Sequence, residues 1–118
     1  MESRIDYKKY CKDMLGALTG LERAISESGL ESSLLHLAKM RASQLNGCGW
    51  CPDMHSKDAL IDGENIQIII LLGAWWGSPQ FSDREKAALA WAERVTLISE
   101  QRRDDAVFEN LRKYFSDE

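Results

Sequence analysis

Apolar positions recur at three- and four-residue spacing along most of the chain, and no stretch alternates with period two, so the pattern predicts helix almost throughout. Residues 7–28 place Tyr10, Met14, Leu18, Leu21 and Ile25 on one face, with Gly29 as the stop. A second helix is predicted from Ser32 to Leu45, facing its core with Leu34, Leu35, Leu37, Ala38, Ala42 and Leu45. Asn46-Gly47 closes it, because both residue types tolerate the left-handed backbone that ends a helix. A third helix opens between Gly49 and Pro52, where a missing N–H costs nothing, runs to Leu60, and is closed by Asp62-Gly63. Residues 64–76, ENIQIIILLGAWW, read as a fourth helix buried on most sides, since the Ile run has no partner strand nearby. Ser82-Asp83-Arg84-Glu85 is a capping box. The helix it opens carries Ala88, Trp91, Ala92, Val95 and Ile98 on one face. A last helix starts near Asp104 and buries Val107, Phe108, Leu111, Tyr114 and Phe115. The expected fold is a single all-α domain over residues 1–118, a compact bundle of about six helices.

Composition narrows the class of function. The chain has 118 residues, 44% hydrophobic and 29% charged, values ordinary for a folded soluble domain. The formal net charge of −4 offers no basic surface, so neither nucleic acid nor an anionic membrane is an expected partner. The first residues, MESRIDYKKYCKDM, are too charged for a signal peptide. A cytoplasmic protein is expected. Three cysteines is an odd number, which argues against a secreted disulfide framework. The apolar stripe of the last helix and the Ile/Leu/Trp run exceed what one small domain covers, which predicts a homo-oligomer with the 66–76 helix at or near the interface.

The chemistry concentrates in Arg41-Ala-Ser-Gln-Leu-Asn-Gly-Cys48-Gly-Trp-Cys51-Pro-Asp-Met-His55. Cys48 and Cys51 are three apart and share a face if the turn between them is helical, and His55 follows Cys51 by one turn. The pair also opens a helix, where free N–H groups and the positive dipole end favour a thiolate. A thiolate attacks a peroxide oxygen or a disulfide sulfur, and a second thiol converts the resulting sulfenic acid to a disulfide. A histidine one turn away can relay the thiol proton to the leaving oxygen. Gly49 allows close approach of the backbone, and Trp50 is expected to line the thiol pocket. Two other readings stay open on spacing alone: a zinc site of Cys48, Cys51, His55 and His36, or a pair of inert, packed cysteines. Cys11 stands apart and reads as packing. Trp75 and Trp76 read as core or interface anchors, Asp53 and Lys57 as a solvated ion pair one turn apart, and Arg41 and Gln44 as possible supports of the turn. Arg84 and Glu85 need no role beyond the cap.

The run R-A-S-Q-L-N-G-C-G-W-C-P-D-M-H-S-K-D-A closely resembles the alkylhydroperoxidase D (AhpD)-like branch of the carboxymuconolactone decarboxylase family, which carries a CxxCxxxH signature preceded by S-Q-x-N-G. The downstream LLGAWWGSPQFSDREKAALAWAERVT resembles the same branch, and the likeness covers about residues 20–115. The resemblance implies an all-α fold assembling as a trimer or hexamer. It implies a thiol-dependent peroxidase or disulfide reductase that uses no haem, flavin, metal or other cofactor. Its substrate would be a small hydroperoxide and its reductant an external dithiol or dithiol protein. By the same resemblance Cys51 is the peroxidatic thiol, Cys48 resolves the sulfenic acid into a disulfide, and His55 serves the proton relay. A disulfide reductase or redox-sensing module is the nearest alternative, and a non-enzymatic zinc module the more distant one.

Two features depart from the family pattern. The branch usually carries a relay glutamate twelve residues before the first cysteine, and here that position is His36. A histidine moves protons near neutral pH but cannot supply the carboxylate charge that orients His55. Either His36 takes over the relay or the relay is weakened, and simple packing of His36 on its helix is the third possibility. Members of the branch also often continue past the position of Phe115 with further apolar helix, whereas this sequence stops at Glu118, which adds to the expectation of an oligomer.

Overall fold

The computed structural model describes residues 4–100 and 105–117. Among them every regular element is a helix: α1 (Tyr7–Tyr10), α2 (Lys12–Ser26), α3 (Ser32–Leu45), α4 (Trp50–Ile61), α5 (Ile66–Leu71), α6 (Asp83–Thr96) and α7 (Ala106–Leu111), with a 3₁₀ segment over Leu72–Gly77. The chain divides into two compact units, one up to Leu30 and one from Glu31 onward.

The first unit is the pair α1 and α2. The single helix expected over residues 7–28 is broken at Cys11, whose backbone (φ −127°, ψ 40°) leaves the helical region. Asp6 caps the short α1 by accepting from the Lys9 N–H at 3.1 Å, and the Cys11 N–H closes it on the Tyr7 carbonyl. Neither helix has a buried residue, and Met14, Leu18 and Leu21 are exposed rather than packed. Cys11, expected to pack, is half-buried with its thiol free. Gly29 ends the unit with φ +90°, the left-handed conformation expected there.

The second unit is built around α3, which packs against α4, α6 and the 3₁₀ segment. Its core holds Leu37 and Met40 of α3, Ala59 of α4, Ile68 of α5, Leu72 and Trp75 of the 3₁₀ segment, Phe81, and Leu89 of α6. Leu34, Leu37 and Met40 are the buried positions of α3, at the three-residue spacing that puts them on one stripe. Glu93 of α6 ties three elements together. Its Oε1 accepts from Trp75 Nε1 at 2.7 Å and from Arg41 Nε at 2.5 Å, and Arg41 also donates to Gln44 at 3.1 Å. The Trp75 N–H and the Arg41 charge thus enter the interior with partners, which removes the cost of desolvating them alone.

Both helix closures around the site are Schellman motifs. At the end of α3 the Cys48 N–H bonds the Ser43 carbonyl and the Gly47 N–H the Gln44 carbonyl, with Gly47 at φ +67°. At the end of α4 the Glu64 N–H bonds the Ala59 carbonyl and the Gly63 N–H the Leu60 carbonyl, with Gly63 at φ +92°. Ser82 opens α6 with the full capping box: it accepts from the Glu85 N–H, and Glu85 accepts from the Ser82 N–H.

Five expectations are corrected. The fourth helix is not continuous: α5 ends at Leu71 and the chain proceeds as a 3₁₀ turn with a kink at Ala74 (φ −133°, ψ 34°). That segment is also buried on one side only. Ile68, Leu72 and Trp75 face the core, while Ile66, Ile70 and Trp76 are exposed. On α6 the buried residues are Ala87 and Leu89, not the face from Ala88 to Ile98, and Val95 and Ile98 are exposed. The last helix, whose expected start at Asp104 lies outside the described residues, buries nothing fully; Val107, Leu111 and Phe115 are half-buried, whereas Phe108 and Tyr114 are more exposed. It is held by the contact of Phe108 with Trp91 at 5.4 Å and by Arg84. Arg84 does more than flank a cap: it pairs with both Glu31 oxygens, donates to the Tyr114 carbonyl, and lies over the Phe115 ring at 3.9 Å. Its guanidinium holds the Glu31 carboxyl below the usual range, mainly through their hydrogen bond.

Candidate active site

The site sits where α3 hands over to α4. The left-handed Gly47 reverses the chain, so Cys48 follows immediately and Gly49 starts the next helix. α4 has no conventional side-chain cap. Instead the Cys51 N–H, one of the donors a helix start leaves unpaired, points at Cys48 Sγ at 3.3 Å. The short turn therefore brings both sulfurs to the positive end of α4. Both cysteines are free thiols and half-buried.

The two thiols are not equivalent. Cys48 is held below the ordinary thiol range, first by the hydrogen bond from the Cys51 thiol and then by the backbone N–H groups of Cys51 and Trp50. Cys51 is pushed up, first because it donates to Cys48, then by burial and by the charge on Cys48; the Ser43 hydroxyl pulls it partly back. One hydrogen bond, from the Cys51 thiol to the Cys48 sulfur, therefore favours ionisation of Cys48 over that of Cys51. Ser43, from the S-Q-x-N-G run, is a contributor that spacing arguments passed over. Its position two residues before the end of α3, next to the dithiol turn in sequence, was the available signal.

His55 follows Cys51 by one turn on α4, and His36 of α3 stands near it. Their ring centroids are 6.4 Å apart and tilted by 49°. His36 lies on α3 and is largely covered, its side chain 16% exposed. Its Nε2 stands 2.8 Å from Asp62 Oδ2. Asp62 is read from sequence only as part of a helix closure; its pairing spans 26 residues and no local pattern announces it. One turn earlier on α3 the Ser33 hydroxyl donates to Glu64, a second tie between the same two stretches of chain.

The remaining candidates divide. Trp50, expected to wall the thiol pocket, is 71% exposed and encloses little within the single chain. Trp75 is a core anchor and Trp76 is exposed, packed edge-to-face against it. Asp53 and Lys57 form the expected ion pair at 2.7 Å on the surface of α4. The zinc alternative has no geometry behind it: among the described residues no three or more His, Cys, Asp and Glu side chains are grouped to hold a metal ion. His36, its fourth ligand, engages Asp62 instead. No helix among the described residues is long and apolar enough to cross a membrane.

An all-helical chain with a dithiol turn opening a helix, and a histidine one turn further, defines a class, and comparison with known proteins gives it a family. The sequence profile of the carboxymuconolactone decarboxylase family matches residues 12–94, and the chain belongs to that family. The uncharacterised protein YdfG of Bacillus subtilis (strain 168) is 34% identical over 118 residues, which is all of this chain and 80% of that protein. A crystal structure from Agrobacterium tumefaciens superposes with a TM-score of 0.93 at 42% identity, covering 98% of this chain and 80% of the other. That protein is described as of unknown function and provisionally as the antioxidant defence protein AhpD. The fold is the AhpD-like all-α fold.

Proposed function

We propose that the Cys48–Cys51 dithiol reduces small hydroperoxides and is itself oxidised to a disulfide. The observation that carries this reading is the Cys51 N–H at 3.3 Å from Cys48 Sγ, which sets both sulfurs at one helix start with His55 one turn along. The antioxidant description of the Agrobacterium relative supports it.

The sequence of events follows from the unequal thiols. His55 takes the proton of Cys51, which needs a base because Cys48 and burial hold it back. The Cys51 sulfur then attacks the outer peroxide oxygen and the O–O bond breaks. The alkoxide leaves with the proton returned by His55, and Cys51 becomes a sulfenic acid. Cys48, whose ionisation the helix start and Cys51 favour, attacks the Cys51 sulfur as the thiolate. The S–S bond forms, and hydroxide departs to become water with a proton from solvent. An external dithiol or dithiol protein returns the two electrons.

The acidity of Cys48 favours a second reading, in which Cys48 attacks and Cys51 resolves. Trapping of sulfenic acid in single-cysteine variants separates the two. Under the first reading Cys48→Ser accumulates a trappable sulfenic acid on Cys51, and Cys51→Ser gives none. The reverse pattern assigns the attack to Cys48. A wild-type protein that forms no Cys48–Cys51 disulfide with hydrogen peroxide, and consumes none with a recycling dithiol, would defeat the peroxidase reading and leave disulfide reduction or redox sensing to be tested on the same pair.

The catalytic unit is proposed to be a homo-oligomer, a trimer or hexamer by family likeness. The exposed Ile66 and Ile70, one turn apart on α5, support this.

A further inference from the structure

We propose that Asp62 is the carboxylate of the proton relay and acts through His36 as a positioning residue, a proposal that rests on the dithiol reading above. The family likeness places a glutamate where this chain has His36, so the relay lacks its usual negative charge at that position. The structure supplies one from elsewhere, with Asp62 Oδ2 2.8 Å from His36 Nε2.

Helix geometry makes the arrangement specific. Cys51, His55 and Asp62 are separated by four and seven residues on or at the end of α4. At about 100° per residue these three fall within an arc of about 40° on one face. α4 thus carries a thiol at its start, an imidazole one turn on, and a carboxylate at its end, all on one side. His36 of α3 stands against that side, bonded to Asp62 and with its ring 6.4 Å from that of His55. The Schellman closure fixes Asp62, through the Gly63 φ of +92° and the Glu64 N–H bond to the Ala59 carbonyl.

The chemical consequence is a choice of tautomer. An ionised carboxylate only accepts, so His36 Nε2 carries a proton and Nδ1 is left as the acceptor. Asp62 also holds the orientation of the imidazole, as the aspartate does behind the histidine of a serine protease, though here the carboxylate is solvent-facing, its side chain 46% exposed. A bare histidine in place of the family glutamate would do neither. His36 with Asp62 behind it reproduces a glutamate's charge one residue further from the thiols.

The test is the rate of disulfide formation after hydrogen peroxide in four full-length proteins: wild type, Asp62→Asn, His36→Glu and the double variant, with urea midpoints measured alongside. Asn keeps an acceptor for the His36 N–H and removes the charge, so a mere tie between α3 and α4 survives the change. The expected result is a slowing of about ten- to a hundredfold in Asp62→Asn, the range seen when the hydrogen-bond partners behind metal-ligating histidines are removed. The same change should alter the rate less than about twofold once residue 36 is itself a glutamate, because the relay charge then no longer comes through Asp62. Equal slowing in both backgrounds, or none in the first, would overturn the proposal. If the wild type forms no disulfide at all, the dithiol reading fails and the role of Asp62 is read instead from imidazole nitrogen NMR shifts. A single Nε2-protonated form of His36 that becomes a tautomer mixture in Asp62→Ala then upholds the positioning role, and a mixture already present in the wild type refutes it.

Discussion

At the scale of single residues, the two thiols are made unequal by the hydrogen bond from Cys51 to Cys48. A thiol ordinarily ionises near pH ~8.5. Cys48 lies below that range because Cys51 donates to it from both its thiol and its backbone. Below the ordinary thiol range, therefore, Cys48 is the thiol that reacts with iodoacetamide, and Cys51 follows only at higher pH. Removing one partner moves the other in a fixed direction. Cys51→Ala raises the Cys48 transition, though not fully, since the backbone N–H at residue 51 remains. Cys48→Ala lowers that of Cys51, which loses the acceptor and the charge that held it up. Alkylation rates against pH, with peptide mapping, check both directions. Asp62 belongs to this scale as well, since the question it answers is which nitrogen of His36 holds a proton.

At the scale of elements, the turn between α3 and α4 is where backbone conformation becomes chemistry. Gly47 has φ +67°, a region where a side chain costs roughly 1–2 kcal/mol. Gly47→Ala should therefore lose about that much stability and also slow disulfide formation, because the turn it strains places Cys48. Ser82→Ala makes the control. It removes the α6 capping box at a similar cost, about 1 kcal/mol, while leaving thiol reactivity unchanged because α6 contributes no group to the dithiol. Urea unfolding and peroxide-driven disulfide formation on the two variants separate the effects. Both signals were legible in the sequence, as were Gly29 and Gly63, because a left-handed closure or a capping box is written in residues that lie next to one another. The break at Cys11 and the kink at Ala74 were not. Neither position carries a proline or another helix breaker, and the apolar spacing runs across both.

At the scale of the whole molecule, the described core is small and much apolar surface stays outside it. Leu37, Met40, Leu72 and Leu89 are fully enclosed, while Ile66 and Ile70 are 49% and 64% exposed. Met14, Leu18 and Leu21 of α2 are exposed as well. Surface of this kind is the ordinary mark of association between copies. Light scattering at micromolar concentration should give a mass of three or six chains, and a monomer mass would refute the proposed assembly. Ile70→Asp should lower the mass if α5 lies at the contact.

The sequence by itself determined the helical class, the positions of the helix closures and the dithiol turn with its histidine, because each is decided within one or two turns of chain. Local periodicity identified which segments are apolar but not which side of them is covered. On α6 the alanines at 87, 88, 90 and 92 make several faces nearly equivalent, and packing against both α3 and α7 covers Ala87 and Leu89, which lie about 200° apart around the helix. The tertiary structure alone decided which groups meet across helices near the dithiol. The Ser43 influence on Cys51, the facing of His36 and His55, and the carboxylate of Asp62 behind His36 all join groups on different helices. Those pairings depend on how α3 lies along α4, a relation set by long-range packing and carried by no local run of residues.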